Sequence, residues 1–211
     1  MEDLRLRAEI CDFGRRLWQR DLVGAAEGNI SVRLSSQRIL CTPTGISKGH
    51  MQPADLVVID NKGNPVGPGT PSSEIKLHLR MYSRRKDCMA VIHAHPPTAT
   101  AFAVAGEDIP DDILPEAAYV LGSVATAPFG MPGTDELPDK LDPLLDDHKT
   151  FLLAHHGAVV MGKDLNDAYN RMEVLERVAR VLCIARSLGG AKRMPEDMFQ
   201  HVIRTALNGK L

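Results

Sequence analysis

The sequence predicts a layered α/β sandwich. Segments in which apolar residues alternate and segments in which they recur at helical spacing interleave from one end of the chain to the other. No internal repeat, linker or low-complexity stretch divides them. The chain has 211 residues, 44% of them hydrophobic and 25% charged, which suits one globular domain over residues 1–211 with ample length for a core. These observations leave the strand order open.

Each element has a local reason. Leu6, Ile10, Phe13 and Leu17 recur at helical spacing and predict an amphipathic helix over about residues 2–22. Gly28 punctuates. Ile30, Val32 and Leu34 alternate with polar residues as a strand, and Ser35-Ser36-Gln37 turns into a second, Arg38 to Thr42. A third strand, Leu56 to Asp60, closes on Asn61-Lys62-Gly63-Asn64. Pro71-Ser72-Ser73-Glu74 offers a serine N-cap and an acid in the first turn, so a helix runs from Ile75 to Tyr82. Met89 to His95 is a short apolar run, hence a central strand, ended by Pro96-Pro97. A helix over Thr98 to Val104, a strand over Val120 to Ala127 and a helix over Glu136 to Leu145 follow. Phe151 to Ala154 and Gly157 to Met161 are two further strands. Leu165, Ala168, Met172, Leu175, Ala179 and Leu182 mark a long helix that ends at Gly189-Gly190.

A net charge of -2 offers no electrostatic attraction for nucleic acid or an anionic membrane. Four cysteines (Cys11, Cys41, Cys88, Cys183) lie far apart with no C-x-x-C pair, which suits a reducing compartment. The acidic, then amphipathic start does not read as a signal peptide, and no apolar run approaches the roughly 20 residues of a bilayer span. A cytoplasmic protein is expected.

His93-Ala94-His95 carries the chemistry. Residues i and i+2 of a strand project from one face, so two imidazoles can meet one ion without distorting the backbone. A carboxylate at Glu74 and a further imidazole from His155-His156-Gly157 would complete a four-donor set of the kind zinc prefers and other divalent ions tolerate. Both histidine clusters sit at strand ends, where α/β folds place sites. His50, His78, His148 and His201 lack that context and read as structural or surface residues. Gly28-Asn29, Thr42-Pro43-Thr44-Gly45 and Ser72-Ser73 are each ordinary turn or cap sequences. Together, near Glu74, they offer hydroxyls, an amide and backbone N–H groups for a phosphate or carboxylate. Lys48 could add positive charge there, although a loop lysine usually reads as solvated.

Gly28-Asn29-Ile30-Ser31-Val32-Arg33, Thr42-Pro43-Thr44-Gly45, Ser72-Ser73-Glu74, His93-Ala94-His95-Pro96 and His155-His156-Gly157 resemble, in order, the motifs of the class II aldolase/adducin family. The chain looks most like the L-fuculose-phosphate aldolase branch, over nearly its whole length. The resemblance implies a three-layer α/β/α sandwich with a largely antiparallel or mixed central sheet, assembled as a homotetramer with interfacial active sites. It implies a metal, Zn2+ or another divalent ion such as Mn2+ or Co2+, on Glu74, His93, His95 and His156, with His155 a neighbour. The phosphate of a small phosphorylated carbohydrate would rest on Asn29, Thr44, Gly45, Ser72 and Ser73. The implied reaction cleaves a ketose 1-phosphate to dihydroxyacetone phosphate and an aldehyde through a metal-stabilised enediolate, with Glu74 as proton shuttle.

The fuculose-phosphate aldolases add a tyrosine from a neighbouring subunit in the stretch that here reads Ile113-Leu114-Pro115-Glu116-Ala117-Ala118-Tyr119. Leucine stands near the expected place, Tyr119 is expected in a strand, and Glu116 is the candidate substitute acid across the interface. The same site chemistry serves decarboxylases of phosphorylated 3-oxo sugar acids or of dihydroxyaromatic acids, and sugar-phosphate epimerases and dehydratases. Adducin-like scaffolds lack the metal ligands, whereas all four positions are filled here.

Overall fold

The computed structural model describes residues 2–208. Helix α1 (Glu2–Gln19) leads into strands β1 (Asn29–Arg33), β2 (Arg38–Cys41) and β3 (Val57–Asp60). Helix α2 (Ile75–Arg84), strand β4 (Ala90–Ala94) and helix α3 (Pro97–Ala105) come next. Strand β5 (Val124–Ala127), helix α4 (Glu136–Leu141), strands β6 (Thr150–Leu153) and β7 (Gly157–Gly162), and helices α5 (Leu165–Ser187) and α6 (Glu196–Leu207) complete the chain. The strands form one mixed sheet in the order β3-β2-β1-β4-β7-β6-β5, in which only the β5–β6 pair is parallel.

Strand alternation divides the core into two layers. Ala90, Ile92 and Ala94 of β4 join the cluster that includes Phe13 and Leu17 of α1, Phe102 of α3 and Met172 and Leu175 of α5. Val91, between them, joins the opposite cluster with Leu77 and Met81 of α2 and Leu137 and Leu141 of α4. The architecture is therefore a three-layer α/β/α sandwich. Strand β4 sits at the centre and every residue of it is buried, as its unbroken apolar run predicts.

Several boundaries differ from the sequence reading. The strand expected from Val120 begins only at Val124, because residues Ala117–Leu121 form a π-helical turn closed by Gly122 at a positive φ (63°). Tyr119 lies on that turn, 39% exposed, rather than in a strand. The helix expected over Glu136 to Leu145 tightens into a 3-10 turn at Asp142–Leu144, where Pro143 has no N–H to continue the ladder. Leu34 lies just beyond β1. Helix α6 was not foreseen.

Candidate active site

Three elements converge at the carboxyl end of β4. His93 is the fourth residue of that strand and is fully buried, paired in register with Asn29 of β1 on one side and Val159 of β7 on the other. His95 follows just past the strand end. His156 lies in the turn between β6 and β7, where His155 takes the left-handed conformation (φ 56°) and His156 N donates to Leu153 O. The next residue has to be glycine: a Cβ on Gly157 would sit 2.6 Å from both the Ala94 carbonyl oxygen and the His95 ring. Glu74 occupies the N-cap position of α2, although a serine cap was expected; Ser72 Oγ instead accepts from Glu74 N at 3.3 Å.

The four donors are close. One ring nitrogen from each of His93, His95 and His156 lies within 4.8 Å of the others. His93 Nε2 is 3.1 Å from His95 Nε2 and 3.2 Å from Glu74 Oε2, and His156 Nε2 is 3.3 Å from Glu74 Oε1. Donors bound tetrahedrally at the zinc–nitrogen distance stand about 3.3 Å apart. Among the described residues no other cluster of three such groups occurs.

The protonation pattern makes the same point. His93 Nδ1 donates to Ala158 O at 2.9 Å and His95 Nδ1 donates to Glu27 Oε2 at 2.6 Å. Both partners can only accept, so each Nδ1 carries a proton, and in the neutral ring each Nε2 presents a lone pair. Two lone pairs face each other at 3.1 Å. That contact is repulsive unless a proton or a metal ion lies between, and with Glu74 and His156 at 3.2 and 3.3 Å the donor set fits a metal ion. Burial, then the charge of His93, pulls His95 down and His156 to about 4, which keeps these rings neutral and able to ligate. Burial pushes the Glu74 carboxyl up, but His93 at hydrogen-bond distance, then His156 and His78, outweigh it and bring the carboxyl to about 2.

Asn29 and Ser72 are buried beside Glu74, while Thr44, Gly45 and Ser73 are exposed. Asn29 Nδ2 donates to Glu74 Oε2 at 3.0 Å, and its Oδ1 is buried without a partner. The Thr42–Gly45 loop is tied to the segment before α2 by a bridge between Pro43 and Pro71, by Thr44 N to Thr70 O and by Ser72 N to Thr42 O. Thr42 Oγ1 accepts from Ile30 N and anchors the same loop to β1. The structure thus joins the residues expected to hold phosphate to the Glu74 side of the site. Glu116 is exposed, and no described hydrogen bond or ion pair connects it to the histidines or Glu74.

Two residues escaped the sequence reading. Glu27 was not singled out, yet its carboxylate holds His95. Lys48 is 2% exposed rather than solvated, and its Nζ donates to the carbonyls of Ala26 (3.0 Å) and Ile46 (2.6 Å). Burial brings its ammonium down to about 8 against the opposing charge of Glu27. His78, read as structural, is fully buried with Nδ1 2.6 Å from Ser31 Oγ, which in turn lies 2.8 Å from the Tyr82 hydroxyl.

Residues 8–183 match the family profile described as "Class II Aldolase and Adducin N-terminal domain". The chain is 35% identical over 185 residues to a 3-oxo-tetronate 4-phosphate decarboxylase of Haemophilus influenzae, covering 86% of this chain and 88% of that protein. It is 34% identical over 186 residues to an L-fuculose phosphate aldolase of Methanococcus maripaludis, covering 88% and 99%. The crystal structure of YgbL from Escherichia coli superposes with a TM-score of 0.90 at 28% identity, covering 96% of this chain and all of that one.

Proposed function

The chain belongs to the class II aldolase and adducin family, and we propose that it is a divalent-metal-dependent lyase breaking a carbon–carbon bond beside a carbonyl of a small phosphorylated sugar acid or sugar. The observation that carries this is the convergence of three imidazoles on the Glu74 carboxylate, with His93 Nε2 and His95 Nε2 3.1 Å apart. His93, His95, His156 and Glu74 would hold the ion, zinc or a similar divalent metal. When bound, it supplies positive charge against the substrate's carbonyl and hydroxyl oxygens, where negative charge develops as the bond breaks.

The chain's own residues do the rest. Asn29, Ser72, Ser73, Thr44 and Gly45 orient the phosphate through an amide, hydroxyls and backbone N–H groups. Asn29 also fixes Glu74 Oε2, leaving Oε1 buried and free of other hydrogen bonds. Glu74 Oε1 is therefore the atom placed to take up a proton from solvent and relay it to the carbon left with the electron pair.

Decarboxylation of a 3-oxo sugar acid 4-phosphate and aldol cleavage of a ketose 1-phosphate leave that pair on the same carbon of the same product, dihydroxyacetone phosphate. They differ at the leaving end. Carbon dioxide departs from a carboxylate with no proton to remove, whereas an aldehyde forms only when a base takes the hydroxyl proton. Between β4 and β5 the relevant stretch presents Ile113 and Leu114 packed on the core and no tyrosine except Tyr119 on the π-helical turn. That chemistry, with the likeness to the 3-oxo-tetronate 4-phosphate decarboxylase, favours loss of CO2. Aldol cleavage is the second reading, supported by the likeness to the L-fuculose phosphate aldolase; it would need Glu116 as base, reaching a neighbouring subunit's site in a homotetramer.

The test is to incubate metal-loaded protein with 3-oxo-tetronate 4-phosphate and with L-fuculose 1-phosphate, measuring CO2 and aldehyde separately. CO2 from the acid without aldehyde from the ketose is expected. Aldehyde without CO2 would establish the second reading, and neither product from metal-bound protein would overturn the lyase proposal.

A further inference from the structure

The loop between α1 and β1 is built around one contact. Glu27 Oε2 accepts the His95 Nδ1 proton at 2.6 Å, and Glu27 Oε1 accepts from Gly24 N at 2.6 Å, so both oxygens are committed. Glu27 N in turn donates to Gly24 O at 3.1 Å, which closes the turn on itself. The loop is pinned to β4 by His95 N donating to Leu22 O at 3.0 Å. It is pinned from beneath by the buried Lys48 ammonium on Ala26 O. Gly28, with φ +71°, lets the backbone pass so close to β4 that a Cβ would stand 2.9 Å from His93 O. A half-exposed carboxylate is thus held in a fixed place by four backbone ties.

We propose that Glu27 is a positioning residue for His95: it fixes the Nδ1–H tautomer and the ring orientation, so that Nε2 always faces His93 and His156. This rests on the reading of those imidazoles as metal ligands. A carboxylate behind a ligating histidine also raises the basicity of the ring, and removing such a partner costs roughly 10–100-fold in metal affinity. Among the described hydrogen bonds, the Glu27 side chain reaches only His95 and Gly24. Its hydrogen bond to the site runs through His95.

Two measurements on the full chain test this in wild type, Glu27→Ala and Glu27→Gln. The first is the His95 tautomer in metal-free protein, read from long-range 1H–15N NMR of the imidazole nitrogens. The wild type should show Nδ1–H only, the glutamine variant should keep it because Gln still offers an acceptor, and the alanine variant should show a tautomer mixture. The second is the affinity for Co2+ by chelator competition, with the visible absorption bands of the bound ion. A loss of roughly 10–100-fold and altered bands are expected for alanine, with most of the affinity restored by glutamine. Unchanged tautomer, affinity and bands in Glu27→Ala would overturn the positioning role. A wild type with His95 locked in one tautomer but no Co2+ binding would instead overturn the metal reading and leave the Glu27–His95 pair as a structural contact.

Discussion

Gly157→Ala tests whether the histidine cluster is held as tightly as its geometry states. The new Cβ would lie 2.6 Å from Ala94 O and from His95 Cδ2, about 0.8 Å inside the 3.4 Å at which ordinary contact begins. The Ala94 carbonyl is backbone of a fully buried central strand and cannot yield, so the His95 ring and the β6–β7 turn carrying His156 must separate. Overpacking of this kind costs about 1–3 kcal/mol. For a chain of this size each kcal/mol lowers Tm by about 2–4 °C, so a drop of about 2–12 °C is expected. Because the displaced groups are two of the proposed ligands, metal affinity should fall by roughly 10–100-fold, the scale seen when the support of a ligating histidine is disturbed. Chelator competition and a thermal melt measure both. A variant with wild-type Tm and wild-type metal affinity would refute the close-packed site.

Three other expectations follow from different parts of the molecule. Replacing Ser72 and Ser73 together with alanine should raise KM for a phosphorylated substrate, since both hydroxyls border Glu74; an unchanged KM would favour an unphosphorylated acid. Burial, aided by the charge of His93, lowers His78 from 6.5 to about 3. The unfolded chain therefore binds more protons across that window, and stability is lost as pH falls from 6.5 toward 3. His78→Asn should flatten that dependence of metal-free protein by up to about 1.4 kcal/mol per pH unit, and an unaltered slope in denaturant titrations would refute it. Burial raises Cys41 and Cys88 to about 12 and Cys11 is buried, whereas Cys183 is exposed. A thiol reagent should therefore modify Cys183 fast in native protein and the other three only on unfolding; rapid modification of Cys41 or Cys88 would contradict their burial.

What was legible in the sequence was what local period encodes. The alternation through Ile30 and Val32, the apolar run into His93 and the helical spacing from Leu165 to Leu182 each announced an element that exists. The H-x-H pair followed from strand period alone. Glu74 and His156 are different: nothing in their spacing ties them to β4. They meet it because β7 inserts between β4 and β6 and α2 packs on the His93 face, and motif order rather than periodicity suggested them. Glu27 was invisible for the same reason. It reaches His95 only through the antiparallel register that sets Asn29 opposite His93, a long-range pairing that no local pattern states. Lys48 had no local sign of burial. Helix α6 did carry signals: Pro195 before Glu196 and Asp197, then Phe199, Val202, Ile203 and Ala206 at helical spacing.

Metal stoichiometry of the purified chain, loaded with Zn2+, dialysed and analysed by mass spectrometry beside a His95→Ala variant, tests the central claim most directly. The wild type should retain about one ion per chain, as a three-histidine, one-carboxylate set demands, and the variant, still folded by circular dichroism, should retain essentially none. Equal metal in the two proteins, or none in the wild type, would contradict the assignment of this cluster as the metal centre.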